Sequence, residues 1–182
     1  LRDSLQLMFR LQLEDGEYVA WVMNTESRSL AKYTNYPFNS FMRVGGKYYG
    51  ATDTGIYLLE GDNDDGDAIR GKLRAGLSSM GSRLLKRFPY VYFGYTATGD
   101  VLLKVVVANA EDAVREAHVY RLAARAAGDM REGRVPVGRG LKNVYWDWVI
   151  ENVDGAQLAI DTVEFLPMQL ERRVRGNSSG KR

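Results

Sequence analysis

The chain has 182 residues, 45% of them apolar, enough to bury the core of one ordinary domain or two small ones. It contains no cysteine, which excludes disulfides, thiolate metal sites and cysteine nucleophiles. A net charge of only +2 argues against a nucleic-acid reader.

Even that charge depends on the end of the chain. Residues 171–182 carry Arg172, Arg173, Arg175, Lys181 and Arg182 against Glu171 alone, and without them the chain is slightly acidic. The pI near 8.8 therefore marks a basic tail, not a basic face. No apolar run reaches the length of a membrane span, and no secretory leader is read at the start. The chain opens on Leu1, not Met, so a fragment of a longer protein is expected.

In chain order, Leu5, Leu7, Phe9, Leu11 and Leu13 alternate with polar or flexible residues, the period of a strand with one buried face. Asp15-Gly16 supplies a hairpin turn, and Tyr18 to Met23 returns. A short strand follows near Ser29 to Thr34, then a break at Pro37. Phe38 to Val44, Lys47 to Ala51 and Ile56 to Glu60 read as three further strands, joined by Gly45-Gly46 and Asp53-Thr54-Gly55. Residues 1–61 are thus expected as an antiparallel β-meander of propeller-blade type.

Residues 62–67, Asp-Asn-Asp-Asp-Gly-Asp, read as an acidic linker. They fail as a calcium loop: from Asp62 the glycine falls fifth, not sixth, and the twelfth residue is Leu73. Residues 68–175 are expected as a β-sandwich. Tyr90 to Tyr95 and Val101 to Val107 flank a Thr98-Gly99-Asp100 turn. Ala108 to Ala117 favours helix by composition, with Asn109 as a cap, although a loop fits equally. His118 to Leu122 reads as strand, and Ala123 to Gly133 is ambiguous. Val144, Trp146, Trp148 and Ile150 share one strand face, which places two tryptophans against the core. Gln157 to Ile160 and Thr162 to Leu166 follow the Asp154-Gly155 turn, and residues 176–182 form a flexible basic tail.

The search for chemistry returns little. His118, the sole histidine, has no G-x-S-x-G or other nucleophile beside it, so it reads as a sheet residue and not a general base. Asp147, Glu151 and Asp161 are the acids a glycosidase would use, but their polar neighbours read as a solvated face. The closing Gly176 to Arg182 is one residue short of a P-loop, and Gly138-Arg139-Gly140 does not extend to a dinucleotide fingerprint. Lys72, Arg74, Arg83, Lys86 and Arg87, with Arg131, Arg134, Arg139 and Lys142, suit salt bridges to a partner subunit better than phosphate contacts.

Residues 20–62, from AWVMNTESRSLAKYTNYPFNSF through MRVGGKYYGATDTGIYLLEGD, resemble a segment of tailed-bacteriophage virion structural proteins of tail or baseplate type. The resemblance rests on Asn24-Thr25, Tyr33, Asn35, Phe38-Asn39-Ser40-Phe41 and Gly55-Ile56-Tyr57, and continues through Val137 to Pro167 and Arg172-Arg173-Val174. It covers residues 21–174. It implies a non-enzymatic virion component of the tail, baseplate or neck, assembled in the bacterial cytoplasm without cofactor or metal. Its expected partners are other phage tail proteins and its own copies in a ring. Tyr33, Tyr36, Phe38, Tyr48, Tyr49, Tyr57, Arg139 and Lys142 are the expected interface, since Tyr and Arg concentrate where proteins bury contact surface. The alternative is a carbohydrate-binding β-sandwich on host glycans, with Tyr90, Tyr92 and Tyr95 as stacking platforms.

Overall fold

Alternating side chains and closely spaced turns give strands throughout the computed structural model, which describes residues 6–12, 18–110, 115–126, 132–138 and 140–170. The side chains of 6–12, 18 and 132 are not among those described. The protein is all-β, with antiparallel sheets and no helix among the described residues. It divides into two compact units, Leu1–Gly61 and Asp62–Arg182.

In the first unit, β1 (Gln6–Gln12) pairs with β2 (Tyr18–Asn24), and β2 with β3 (Leu30–Tyr33). The turn expected at Asp15-Gly16 lies outside the described residues. Between β2 and β3, Asn24 Oδ1 accepts hydrogen bonds from the Glu26 and Ser27 amides, and Arg28 takes a φ of 58° to close the turn. A second three-stranded sheet joins β4 (Ser40–Val44), β5 (Lys47–Ala51) and β6 (Ile56–Leu58). The single blade-like meander expected over 1–61 is therefore two separate sheets. The break has a local cause. Asn35 sits at φ 60°, Pro37 has no amide to donate, and Phe38 leaves the strand path to lie over Gly50.

The second unit begins with the acidic run. Read as a linker, it forms a tight hairpin: β7 (Asn63–Asp64) pairs with β8 (Asp67–Ala68) across Asp65 and Gly66, at φ 51° and 92°. Asn63 Oδ1 accepts from the Gly66 amide, and Asp62 accepts from Gln157 Nε2 at 2.9 Å. There follow β9 (Lys72–Arg74), β10 (Lys86–Arg87), β11 (Tyr90–Ala97), β12 (Val101–Ala108), β13 (Glu116–Leu122), β14 (Glu132–Pro136), β15 (Tyr145–Asn152), β16 (Leu158–Phe165) and β17 (Met168–Gln169). They form a sheet of order β13-β12-β15-β9, a sheet of order β14-β11-β16, and the small pair β10-β17. The helix favoured over 108–117 is not formed in its described part: Ala108 closes β12, and Glu116 and Ala117 open β13, paired to Val107 and Val106. Cross-strand pairing to a β-branched neighbour outweighs the helical propensity of the alanines.

Both larger sheets feed one core. Val91, Phe93, Tyr95 and Ala97 from β11 meet Val101, Leu103, Val105 and Val107 from β12. Trp146 and Ile150 of β15 join them, and Trp148 packs partly buried against the same cluster, as the alternation requires. Burying each of the larger aliphatic side chains contributes about 1.5–3 kcal/mol. Trp146 meets the ring of Phe88 edge-on, 4.5 Å between centroids, while its indole N–H donates to the Asn143 carbonyl at 2.9 Å. The two strands expected on either side of Asp161 are one strand, β16, whose register against β11 slips at Gly94/Tyr95 so that Asp161 is the extra residue.

Candidate interaction surface

The β4–β5–β6 sheet fixes the surface through its register. Opposed residues of antiparallel strands share a face, so Phe41 and Gly50 align with Tyr57, and Arg43 with Tyr48. Gly50 is required there: a Cβ would lie 2.5 Å from Phe38 Cγ and 2.6 Å from its Cδ1. Phe38 uses that gap to lie flat on the sheet and is buried, with Tyr57 at 5.8 Å and Phe41 at 6.2 Å between centroids. Tyr36 stands edge-on to Phe38 at 4.6 Å, stacks on Phe41 at 6.1 Å, and meets Tyr33 of β3 at 5.8 Å. Five rings thus form one connected aromatic face. Tyr33 remains 39% and Phe41 47% exposed.

Of the residues expected at an interface, Tyr33, Tyr36, Phe38 and Tyr57 come together here. Tyr48 is on the same sheet face but stands 57% exposed beside Arg43, whose guanidinium carbon lies 5.3 Å from the ring centre. Tyr49 points to the opposite face, across from Met42 and Leu58. Lys142 is exposed in the second unit, and Arg139 lies outside the described residues. Sequence reasoning passed over Phe41 and Arg43 as surface residues. Their alternation with Met42 carried the signal, but it could not be assigned to a face without the pairing partners.

Of the three acids expected on a solvated face, Asp161 is exposed, but Asp147 and Glu151 are not. Asp147 is buried. Its carboxylate accepts hydrogen bonds from Arg74 Nε at 2.7 Å, from Arg74 Nη2 and from the Gly76 amide at 2.9 Å. The carboxylate holds the Arg74 guanidinium above its ordinary pKa, mainly through the hydrogen bond. Polar sequence neighbours misled here because the partner is 73 residues away. Glu151 is half-buried between Lys104 and Lys72. The hydrogen bond from Lys104, with lesser help from Lys72, draws its carboxyl below the usual value although burial opposes this. Four residues along one strand set the Cα atoms of Asp147 and Glu151 about 13 Å apart, and each carboxylate is held by its own cations, Arg74 for Asp147 and Lys104 with Lys72 for Glu151. Asp161 lies in the bulge and accepts from the Thr162 hydroxyl. His118 is half-buried beside the exposed Glu116 carboxylate at 3.1 Å.

Tyr95 is also misplaced as a platform. It is buried, its hydroxyl donates to the Ala123 carbonyl at 2.8 Å, and burial raises its pKa. Tyr90 and Tyr92 lie half-buried on the other face of β11, 6.4 Å apart, with the Arg134 guanidinium 4.4 Å from the Tyr90 ring centre. Lys86 is fully buried, and among the described residues no carboxylate pairs with it. Its ammonium donates to the Ser82 and Leu84 carbonyls, and desolvation lowers its pKa. Among the described residues no group of three His, Cys, Asp or Glu side chains is placed to hold a metal ion. No helix among them is long and apolar enough to cross a membrane. No family model, curated protein or solved structure matches the chain.

Proposed function

We propose that the chain is a structural subunit of a tailed-bacteriophage virion, at the tail, baseplate or neck, and that it works by self-association and by docking onto neighbouring tail proteins. On this reading the second unit is a β-sandwich scaffold, and no bond is made or broken. The observation that carries the proposal is the aromatic face of the β4–β5–β6 sheet, with Phe41 and Tyr33 left open to a partner. Four of the residues that carry the phage resemblance, Tyr33, Phe38, Phe41 and Tyr57, belong to this face. Aromatic anchors of this kind dominate the energetics of protein contacts.

The test is co-expression with adjacent tail proteins, together with mass spectrometry of purified particles. The chain is expected in the particles, and Phe41→Ala is expected to weaken co-assembly about 30-fold if Phe41 is a hot spot worth about 2 kcal/mol. Absence from particles, or full co-assembly by a Tyr33→Ala/Phe41→Ala variant, overturns the reading. A glycan-binding module is the second reading. It is favoured by the adjacent Tyr90 and Tyr92 rings and disfavoured by their partial burial and by the loss of Tyr95 as a platform. A glycan array without signal removes it.

A further inference from the structure

The strands of the second unit run between two ends of opposite charge. Val101 pairs with Asn152 and Leu122, and Ala97 with Leu158, so the β11–β12 turn, the end of β15 and the start of β16 lie together at one end. The acidic hairpin of residues 62–67 belongs to this end: Asp62 accepts from Gln157, and Ala68 lies close over Gly155. At the other end β10 pairs with β17, and Lys86 exchanges both backbone hydrogen bonds with Asn143, just before β15. That bridge brings Arg87 and Lys142 onto neighbouring segments. The buried Lys86 ammonium holds the Ser82 and Leu84 carbonyls and so fixes the stretch that carries Arg83.

Each end crowds like charge. In the hairpin Asp64 stands directly across from Asp67, an arrangement that repels. Asp62, Asp65 and Asp67 are exposed, and Arg70 beside them leaves four acids against one cation. At the far end Arg83 and Lys142 are exposed and Arg87 is half-buried. Among the described residues none of Asp62, Asp65, Asp67, Arg83, Arg87 or Lys142 has an oppositely charged partner. The ends do not neutralise each other within one chain. From Tyr145 to Asn152 β15 alone separates them by about 24 Å, at about 3.4 Å per residue. Charges in solution are screened over about 8 Å at physiological salt. We propose that copies of this chain associate head to tail through these two ends, the 62–67 hairpin of one seating on Arg83, Arg87 and Lys142 of the next.

The signs of the two ends select this occupant. A nucleic acid would satisfy the basic end and be repelled by the acidic one. An acidic protein would leave the hairpin uncovered. A second copy satisfies both, setting three exposed acids against three cations. The contact joins two different surfaces, so it builds a ring where the rotation closes and an open stack where it does not. Exposed ion pairs are individually weak and screened by salt. The association is accordingly weak between free chains and becomes effective where assembly raises the local concentration.

The inference gives the virion-subunit reading a second surface for self-association but can fail separately from it. Sedimentation velocity of the full chain at low salt, up to several hundred micromolar, is expected to show a mass that grows with concentration. In about 1 M salt, where screening shortens to about 3 Å, the association is expected to weaken at least ten-fold. The Asp65→Asn/Asp67→Lys and Arg83→Glu/Lys142→Glu variants, each checked for native circular dichroism, are expected to stay monomeric alone and to associate on mixing. Mixing is the decisive arm, because one variant then carries two basic ends and the other two acidic ends. A wild-type monomer at low salt, association indifferent to salt or to either variant, or a mixture that does not associate overturns the proposal. So does association abolished by a chelator, which assigns the hairpin to a divalent cation. A short DNA duplex that binds the wild type and not Arg83→Glu/Lys142→Glu assigns the basic end to nucleic acid and overturns it as well. A monomer that still enters particles sinks this contact and leaves the virion role standing, whereas a head-to-tail assembly absent from particles does the reverse.

Discussion

Replacing Arg74 by Met exposes the energetics of the buried carboxylate beneath it. The Asp147 side chain is fully buried, and two of its three described hydrogen bonds come from Arg74. Arg74→Met keeps most of the apolar stem but leaves a buried charge held by the Gly76 amide alone. Breaking a buried pair in this way costs about 3–5 kcal/mol. The reverse change is milder. In Asp147→Asn the guanidinium left behind is 47% exposed and water re-solvates it, so the expected loss is about 1–3 kcal/mol. The double variant should cost little more than Asp147→Asn alone, since the unpaired anion is gone. Urea unfolding followed by tryptophan fluorescence suits the measurement, because Trp146 and Trp148 flank Asp147. With a slope near 1.5 kcal/mol/M, a 3 kcal/mol loss lowers the midpoint by about 2 M. If Arg74→Met costs under about 1 kcal/mol, or Asp147→Asn costs more than Arg74→Met, the account of this pair is wrong.

Three further outcomes follow from the packing and the charges. Gly50→Ala should destabilise the first unit by about 1–3 kcal/mol by pushing Phe38 off the sheet; in a Phe38→Ala background the same change should cost almost nothing in a urea titration. Glu151 has its folded pKa drawn below 4.5, so its contribution is complete above that value and is lost as the pH falls toward the folded pKa. Comparing urea midpoints at pH 6 and pH 3, Glu151→Gln should lose less than wild type, and an equal loss would deny the carboxylate this role. Lys86 has its folded pKa below 10.5, so the unfolded chain binds more protons between the folded pKa and 10.5, and stability rises with pH across that window. Lys86→Met should lack that rise when stability is measured at intervals up to pH 10.5, and a parallel rise in both proteins would contradict it.

The strands were legible where a single period and a clear turn coincide. β5 was expected over Lys47 to Ala51, where it lies, and β12 ends one residue beyond the expected Val107. The core face of β15 followed from the spacing of Trp146, Trp148 and Ile150. Three things escaped, each for a physical reason. The environment of Asp147 depends on β9 pairing with β15, far apart in sequence, and no local pattern encodes that contact. The helical bias of 108–117 is overruled by pairing of β13 with β12. The acids of 62–67 suggested a bare connection, yet an Asn side chain bonded to a Gly amide suffices to turn them into a hairpin. The aromatic face lay in between: Tyr33, Tyr36, Phe38 and Tyr57 were expected at an interface, but Phe41 beside them, and Gly50 as the seat of Phe38, emerged only from the register.

The pairing order has a consequence for biosynthesis. In the first unit each strand pairs only with its neighbours in sequence, so its sheets can close while later residues are still being made. The second unit cannot do this. β9 waits for β15, β10 for β17 and β11 for β16, and one long flank of Val91 to Ala97 stays unpaired until residue 165 has left the ribosome. During translation at roughly 5–20 residues per second, that strand is exposed for about 4–14 seconds. A ribosome stalled before β16 would release a chain whose first unit is finished and whose second presents a sticky, half-built sheet.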